Sequence, residues 1–321
     1  MKALSKYVVL CCALLPAPAA FATCGAAFCT INTNWDAHGA WAEPGWRFDL
    51  RYEHILQDRP QAGSDRVSVG QIAKHHDEVF TENRNWLATL DYTFDADWGV
   101  ALYLPFVDRS HTHIHNHRGT PIIESWDFSS AGDLRVVGRH RLATFEKQGE
   151  PALGAAGLYF GLKMPTGRID VRNGTGDVAE RSLQPGTGTT DAILGAYYAQ
   201  LLPMKDLSWF AEGLVQVPLT TRDGYKPGTR VSLDTGLRYN VTEQFSLMLQ
   251  LNGLFRERDS GVNAEPDDSG GKAWFMSPGF SYSLAKDAAV YAYYQVPIYQ
   301  YVNGVQLTAK GASAIGMSIR F

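Results

Sequence analysis

The chain has 321 residues and a formal net charge of −4, with 29 Lys and Arg against 33 Asp and Glu. No stretch is strongly basic, which excludes nucleic acid as a predicted partner. Aromatic residues make up 12% of the chain and glycine occurs 31 times, a composition that suits a soluble β-protein and a membrane barrel equally well. The fold class therefore has to come from the order of the residues.

Residues 1–22 have the features of an export signal. Two lysines precede an apolar stretch from Tyr7 to Leu15, and Ala20-Phe21-Ala22 gives an A-x-A cleavage pattern. We predict that this segment is a signal peptide. Beyond it, no run reaches the roughly 18 to 20 apolar residues of a membrane-spanning helix, so any passage through a bilayer must use strands.

Residues 23–44 precede the first predicted strand and hold Cys24 and Cys29, while the other two of the four cysteines fall within the signal peptide. In an oxidising periplasm this pair favours a short disulfide over a metal or haem role, because the C-x4-C spacing matches neither a zinc-ribbon pair nor a haem attachment motif. We predict a periplasmic N-terminal segment that acts as a small plug or docks a periplasmic protein.

From Gly45 onward, segment after segment alternates polar and apolar residues. In Arg230–Asn240 the polar residues occupy even positions, and in Phe245–Arg256 the apolar residues occupy odd positions. This period of two is typical of strands with one face in contact with water. We predict about twelve strands of bilayer-crossing length: Trp46–Leu56, Trp86–Phe94, Trp98–Val107, Leu134–Leu142, Leu158–Met164, Asp191–Gln200, Trp209–Leu219, Arg230–Asn240, Phe245–Arg256, Trp274–Leu284, Val290–Ile298 and Ala312–Phe321.

The fold class is therefore predicted as all-β, a transmembrane antiparallel up-and-down β-barrel over residues 45–321 in the cell outer membrane. A soluble β-sandwich is the alternative, but regular strand lengths and aromatic strand ends favour the barrel, which leaves no sheet edge exposed to lipid. Short turns alternate with long loops, as in outer-membrane barrels. The predicted long loops are Asp58–Thr81, His115–Ala131, Thr166–Thr189, Thr221–Thr229, Asp259–Gly271 and Tyr301–Lys310.

If the apolar parity faces lipid, the opposite parity lines the bore. The charged residues of this opposite parity form either a lattice of ion pairs that stiffens the wall or a constriction that selects solutes. Towards the C-terminus the predicted lining is neutral and aromatic, with Phe275, Tyr291, Tyr293 and Gln295. The predicted charged lumen residues are Arg47, Asp49, Arg51, Glu53, Asp91, Arg109, Asp133, Arg135, Arg139 and Arg141.

Four histidines at strict two-residue spacing share one face of the third predicted strand and its outward end. Imidazoles at this separation suit a divalent metal, Cu(II), Zn(II) or Ni(II), which is the one candidate cofactor. A polar rim and a pH-responsive mouth are the alternatives. The candidate metal ligands are His111, His113, His115 and His117, with His75 and His76 from the first long loop.

No enzymatic activity is predicted. Ser110 adjoins His111, but neighbouring side chains of a strand point to opposite faces, so the two cannot form a nucleophile and base pair. The chain also lacks the G-x-S-x-G and H-E-x-x-H motifs and a phosphate-binding loop followed by a helix.

Three runs between about Gly132 and Leu201 resemble an outer-membrane family, the transporters of the MetA pathway of phenol degradation. They are Gly132-Asp133-Leu134, Leu162-Lys163-Met164-Pro165-Thr166-Gly167, and Gln184-Pro185-Gly186-Thr187-Gly188-Thr189-Thr190-Asp191. The resemblance implies a barrel that helps small, often aromatic molecules across the outer membrane, and it brings no catalytic residues.

We therefore predict an outer-membrane channel or facilitator for passive passage of a small solute, with aromatic solutes the class that the resemblance implies. One alternative is a metal-binding barrel that uses the histidines of the bore. The other is a structural surface barrel with a closed lumen. The predicted partners are outer-membrane lipid, the solute and a periplasmic protein at the N-terminal segment.

Overall fold

The computed structural model describes residues 31–33, 44–72, 77–115, 120–145 and 153–321. No helix in these residues is long and apolar enough to span a membrane. The described ranges contain thirteen strands: β1 (Gly45–Gly63), β2 (Asp65–Arg66), β3 (Asp77–Thr93), β4 (Trp98–His115), β5 (Ile122–Ala131), β6 (Arg135–Phe145), β7 (Gly154–Lys163), β8 (Asp191–Leu201), β9 (Leu207–Pro218), β10 (Arg230–Asn240), β11 (Phe245–Arg256), β12 (Gly271–Ala285) and β13 (Ala288–Arg320).

Eleven of these strands follow one another around a closed antiparallel barrel, which β13 completes by pairing with β1, while β2 and β5 are additions to it. Because an odd number of antiparallel strands cannot close, β13 must reverse direction. Its first part pairs with β12 and its last part with β1, and Val302 takes part in both ladders. Asn303-Gly304 lies at the reversal, with Gly304 at φ +56°, as expected of a two-residue hairpin turn. The barrel thus has twelve crossing segments.

This hairpin shows that the predicted long loop Tyr301–Lys310 is wrong. Val305, Gln306, Leu307 and Thr308 continue the ladder with β1. Gly304 supplies the positive φ of this tight turn, so no long connection is required there.

Strand β11 shows how the alternation divides the wall. Leu247, Leu249 and Leu251 are 49%, 45% and 37% exposed, whereas Gln250 and its neighbours on the same parity are almost fully buried. A soluble sandwich would bury the leucines, so their outward position confirms the predicted barrel. The wall has an apolar exterior and a polar interior.

The outward face also marks where the membrane ends. On β4 the outward side chains Leu102, Leu104 and Phe106 are exposed and apolar. They are followed on the same parity by Asp108 and Ser110, so β4 continues beyond the bilayer.

At this outer end, β3, β4 and β5 form an extracellular extension of the sheet. Strand β5 pairs with β4 from Phe106↔Ala131 to His115↔Ile122. The predicted loop His115–Ala131 is therefore wrong over its second half. Its alternating residues form a strand because β4 extends far enough to supply a ladder partner.

Residues 164–190, here called the mouth loop, fold back over the outer end of the bore. Leu183 is fully buried and packs with Trp126, Ala179 and Leu307. The Arg109 guanidinium donates a hydrogen bond to the Leu183 carbonyl over 2.6 Å. The mouth loop thereby covers part of the extracellular opening.

At the other end of the chain, residues 31–33 lie within the bore. Asn32 exchanges two hydrogen bonds with the side-chain amide of Gln250, over 3.0 and 2.8 Å. Arg51 donates to the Ile31 carbonyl over 3.1 Å, and Ile31 packs against a buried cluster that includes Tyr293. This part of the segment 23–44 narrows the bore, while Cys24 and Cys29 lie outside the described residues.

Candidate functional site

The charged residues predicted for the lumen occupy the inner face of the wall, most of them on β1, β4 and β6. Eight of the ten are buried, while Arg135 and Arg141 are half-buried. They fall into separate groups along the bore rather than a single ring. The ten are Arg47, Asp49, Arg51, Glu53, Asp91, Arg109, Asp133, Arg135, Arg139 and Arg141.

The group on β1 joins the wall to the N-terminal segment. Arg51 lies 2.9 Å from a Glu53 carboxylate oxygen and also donates to the Thr33 hydroxyl over 3.1 Å. The junction at which β13 pairs with β1 is here called the seam. Across it, the Tyr291 hydroxyl donates to both oxygens of Asp49, over 2.9 and 3.0 Å. These charges are engaged with the wall and the segment in the bore.

A second group lies at the periplasmic ends of β3 and β6. Arg139 donates to the Thr93 hydroxyl over 3.0 Å and lies 3.7 Å from Asp91. Arg141 reaches an oxygen of Asp97 in the adjoining turn at 3.0 Å. These contacts tie neighbouring strands together.

The third group surrounds Asp133 beneath the mouth loop. Lys163 lies 3.2 Å from Asp133 and 3.0 Å from Asp191, and all three side chains are buried. The backbone amides of Gly167 and Thr187 donate to Asp133 over 3.0 and 2.9 Å. The three sequence runs that resemble the family thus meet in one buried polar cluster.

Sequence reasoning missed Lys163 and Asp191 as members of this cluster. The available signal was their place in the family-like runs, since each run carries one of the three charged residues. Two glycines of these runs also touch: a Cβ on Gly167 would lie 2.7 Å from the Gly186 Cα. That approach is closer than real Cβ contacts allow, so the crossing requires glycine.

Three cavities in the bore share Arg230 in their linings. The outer cavity, of about 160 Å³, lies towards the extracellular side and is lined by Phe275, Gln295 and Leu307 among others. The inner cavity, of about 170 Å³, is lined by Asp49 and Arg51 among others. A third, of about 130 Å³, lies beneath the mouth loop. All three therefore lie around the Arg230 side chain, one next to another along the bore.

The histidines of β4 lie on the inner face of the extracellular extension. His111 and His113 are buried, and His115 is half-buried. His113 and His115 come together with Glu124 of β5, whose Oε2 lies 2.9 and 2.8 Å from their Nε2 atoms. Sequence reasoning missed Glu124 because its position depends on the β4 and β5 register.

The mouth loop brings a further carboxylate to the histidines. Glu180 Oε1 lies 3.7 Å from His113 Nδ1. Burial raises the pKa of Glu180 to about 8, against the opposite effect of His113 and His115. The other three predicted metal ligands, His75, His76 and His117, lie outside the described residues.

Comparisons with solved structures establish the fold. An outer membrane channel from Pseudomonas putida F1 superposes with a TM-score of 0.68 at 14% identity, over 88% of this chain and 98% of that one. The NanC porin gives a TM-score of 0.46 at 9% identity, over 85% and 100% of the two chains. The KdgM porin gives 0.43 at 10% identity, over 85% and 99%.

The sequence comparisons identify the family. No curated protein matches the chain in sequence. The model of the family described as "Putative MetA-pathway of phenol degradation" matches residues 57–310, well over half of the chain. The chain belongs to this family and is one of its outer-membrane β-barrels.

Proposed function

We propose that the protein is a passive, non-enzymatic outer-membrane channel or facilitator for a small solute with an aromatic body. The observation that carries this proposal is the series of three cavities that meet at Arg230. Neighbouring cavities along a membrane-spanning bore provide successive resting places for one small molecule.

The outer cavity supports the solute class. Phe275 and Leu254 offer apolar contacts, and several glutamine amides offer hydrogen bonds. Among its charged lining residues, Arg256 is paired with Asp259 at 2.7 Å, and the Lys272 ammonium lies over the Tyr301 ring. Arg230 is therefore the cation that the lining offers to a solute, and no acid is among the described lining residues. Such a lining suits an aromatic solute that is neutral or carries a negative group. The family is described by a pathway of phenol degradation, which agrees with an aromatic solute.

Planar-bilayer recording together with proteoliposome uptake tests the proposal. The purified barrel should give discrete current steps, and liposomes that contain it should take up benzenesulfonate faster than glucose. Benzenesulfonate is chosen because its permanent charge keeps it from crossing lipid unaided. A barrel that gives neither current steps nor uptake would be a structural surface protein with a sealed bore.

A further inference from the structure

The hairpin of β4 and β5 brings two histidines and a glutamate together above the membrane. His113 and His115 are two residues apart, so their side chains share one face of β4. Glu124 of β5 pairs with His113 in the ladder. Strand alternation and register therefore place all three side chains on the inner face of the extracellular extension.

The three side chains have the spacing of metal ligands. One donor atom from each lies within 4.8 Å of the other two, and both Nε2 atoms lie within 2.9 Å of Glu124 Oε2. Zinc binds imidazole nitrogen at about 2.0 to 2.1 Å and carboxylate oxygen at about 2.0 to 2.2 Å, so only small side-chain shifts would admit an ion. Two imidazoles and one carboxylate favour Zn(II), Cu(II) or Ni(II) over Ca²⁺ and Mg²⁺, which prefer oxygen ligands.

His111 and Glu180 lie on the Nδ1 side of His113 and orient its ring as a metal ligand. His113 Nδ1 faces His111 Nε2 at 3.4 Å and Glu180 Oε1 at 3.7 Å. His111 is fixed in turn by the Thr81 hydroxyl, 2.8 Å from its Nδ1. A carboxylate near Nδ1 favours the proton on that nitrogen, as in many metal-binding histidines, so that a metal ion can replace the Nε2 proton in the contact with Glu124.

A second, independent observation is a buried carboxylate beside the cluster. Glu78 of β3 pairs with His113 in the ladder and is 2% exposed. Neither of its carboxylate oxygens has a hydrogen-bond partner among the described residues, and Glu180 and Asp268 lie close enough to act on it electrostatically. Buried acids without such partners are costly, and a nearby divalent cation would offset that cost.

An ion can reach this position from outside the cell. A cavity of about 530 Å³ is lined by His113, His115, Glu124 and Glu180, with Arg172 also in its lining. This volume accommodates a hydrated ion and leaves a fourth coordination position for water.

We propose that His113, His115 and Glu124 bind one divalent transition-metal ion, Zn(II), Cu(II) or Ni(II), at the extracellular mouth of the barrel. His111 and Glu180 position His113, and water fills the fourth position. The site does not depend on solute passage, because it lies above the membrane on the extension of the sheet.

Isothermal titration with ZnCl₂ tests the site, using the mature chain in detergent without a histidine tag after treatment with a chelator. The wild type should bind one ion per chain. Loss of groups that only orient a ligand weakens metal sites about 10- to 100-fold, so His115→Ala and Glu124→Gln should each weaken binding at least about 100-fold. His115 is half-buried and Gln matches Glu in size, so both variants should fold.

His54→Ala is the matched control, because His54 also lies 2.9 Å from a glutamate, Glu82, but on the outer face and, among the described residues, in no group of metal-ligating side chains. It should leave zinc affinity unchanged. Copper EPR gives a second readout: coupling to two nitrogens in the wild type and to one in His115→Ala. The proposal is overturned if the wild type binds no zinc or if His115→Ala binds as tightly as the wild type. It is equally overturned if binding disappears only when His75, His76 and His117 are replaced.

Discussion

The outer and inner cavities of the bore are nearly equal in volume, about 160 and 170 Å³, yet their linings differ. The inner cavity carries both signs of charge, including Asp49, Arg51 and Asp234. The outer cavity combines Phe275 and other apolar groups with glutamine amides, and no acid is among its described lining residues. The two cavities meet at Arg230.

The contrast separates the groups that hold the barrel together from the groups that, on the proposed function, contact the solute. The charges around the inner cavity bind one another and the N-terminal segment, as Arg51 does with Glu53 and with Ile31. Amides of the outer cavity can bond a solute without the desolvation cost of an isolated charge. We therefore propose that the solute contacts the outer cavity, while the inner cavity supports the fold.

The largest expected effect is that of Arg51→Ala at the inner cavity. It leaves Glu53, which is fully buried, without the cation 2.9 Å away. Removing one partner of a buried pair costs about 3 to 5 kcal/mol, so the free energy of unfolding of the barrel in detergent should fall by that amount. Guanidinium unfolding followed by tryptophan fluorescence measures it.

Arg168→Ala is the control, because Arg168 and Asp170 form an exposed pair at 3.2 Å. Exposed pairs contribute about 0 to 1 kcal/mol. Equal losses in the two variants would show that the charges of the inner cavity are hydrated and do not support the fold.

A smaller effect is expected from Tyr291→Phe, which removes the hydroxyl that donates to Asp49 across the seam between β13 and β1. A hydrogen bond to a charged group contributes about 1.5 to 3 kcal/mol, so the free energy of unfolding should fall within that range. Tyr239→Phe on the outer face, where Tyr239 is 47% exposed, should change it little. If the Tyr291→Phe barrel were as stable as this control, the hydrogen bond between Tyr291 and Asp49 would not stabilise the barrel.

The smallest effect on stability is expected from Gly167→Ala, which tests the crossing that holds the mouth loop above the cavities. The added Cβ would meet the Gly186 Cα at 2.7 Å, and overpacking of this kind costs about 1 to 3 kcal/mol. Gly174→Ala lies in the same loop with no atom within 4 Å of the added Cβ. Faster proteolysis of the mouth loop is expected in the first variant alone, and equal cleavage would contradict the crossing.

The sequence predicted the wall of the barrel better than its connections. Odd and even positions follow from the geometry of a strand, so Leu247 and Gln250 could be assigned to opposite faces without any tertiary information. The loop prediction Tyr301–Lys310 failed although Asn303-Gly304 carried the hairpin signal, because its polar residues resembled a loop. The prediction His115–Ala131 failed because β5 depends on a partner strand.

The candidate sites depend on contacts that one sequence does not encode locally. Glu124 reaches His113 only through the register of β4 and β5, and Lys163 reaches Asp133 only through the register of β6 and β7. Spacing within β4 did suggest that His113 and His115 share a face. The role of the predicted charged residues in selecting solutes remains a prediction.

Block of single-channel current by benzenesulfonate tests the assignment of solute contact to the outer cavity most directly. The wild type should show a concentration-dependent block. Phe275→Ala, in the outer cavity, should weaken it severalfold, and Thr89→Ala, in the inner cavity, should leave it unchanged. Block that survives Phe275→Ala and disappears in Thr89→Ala would contradict the account.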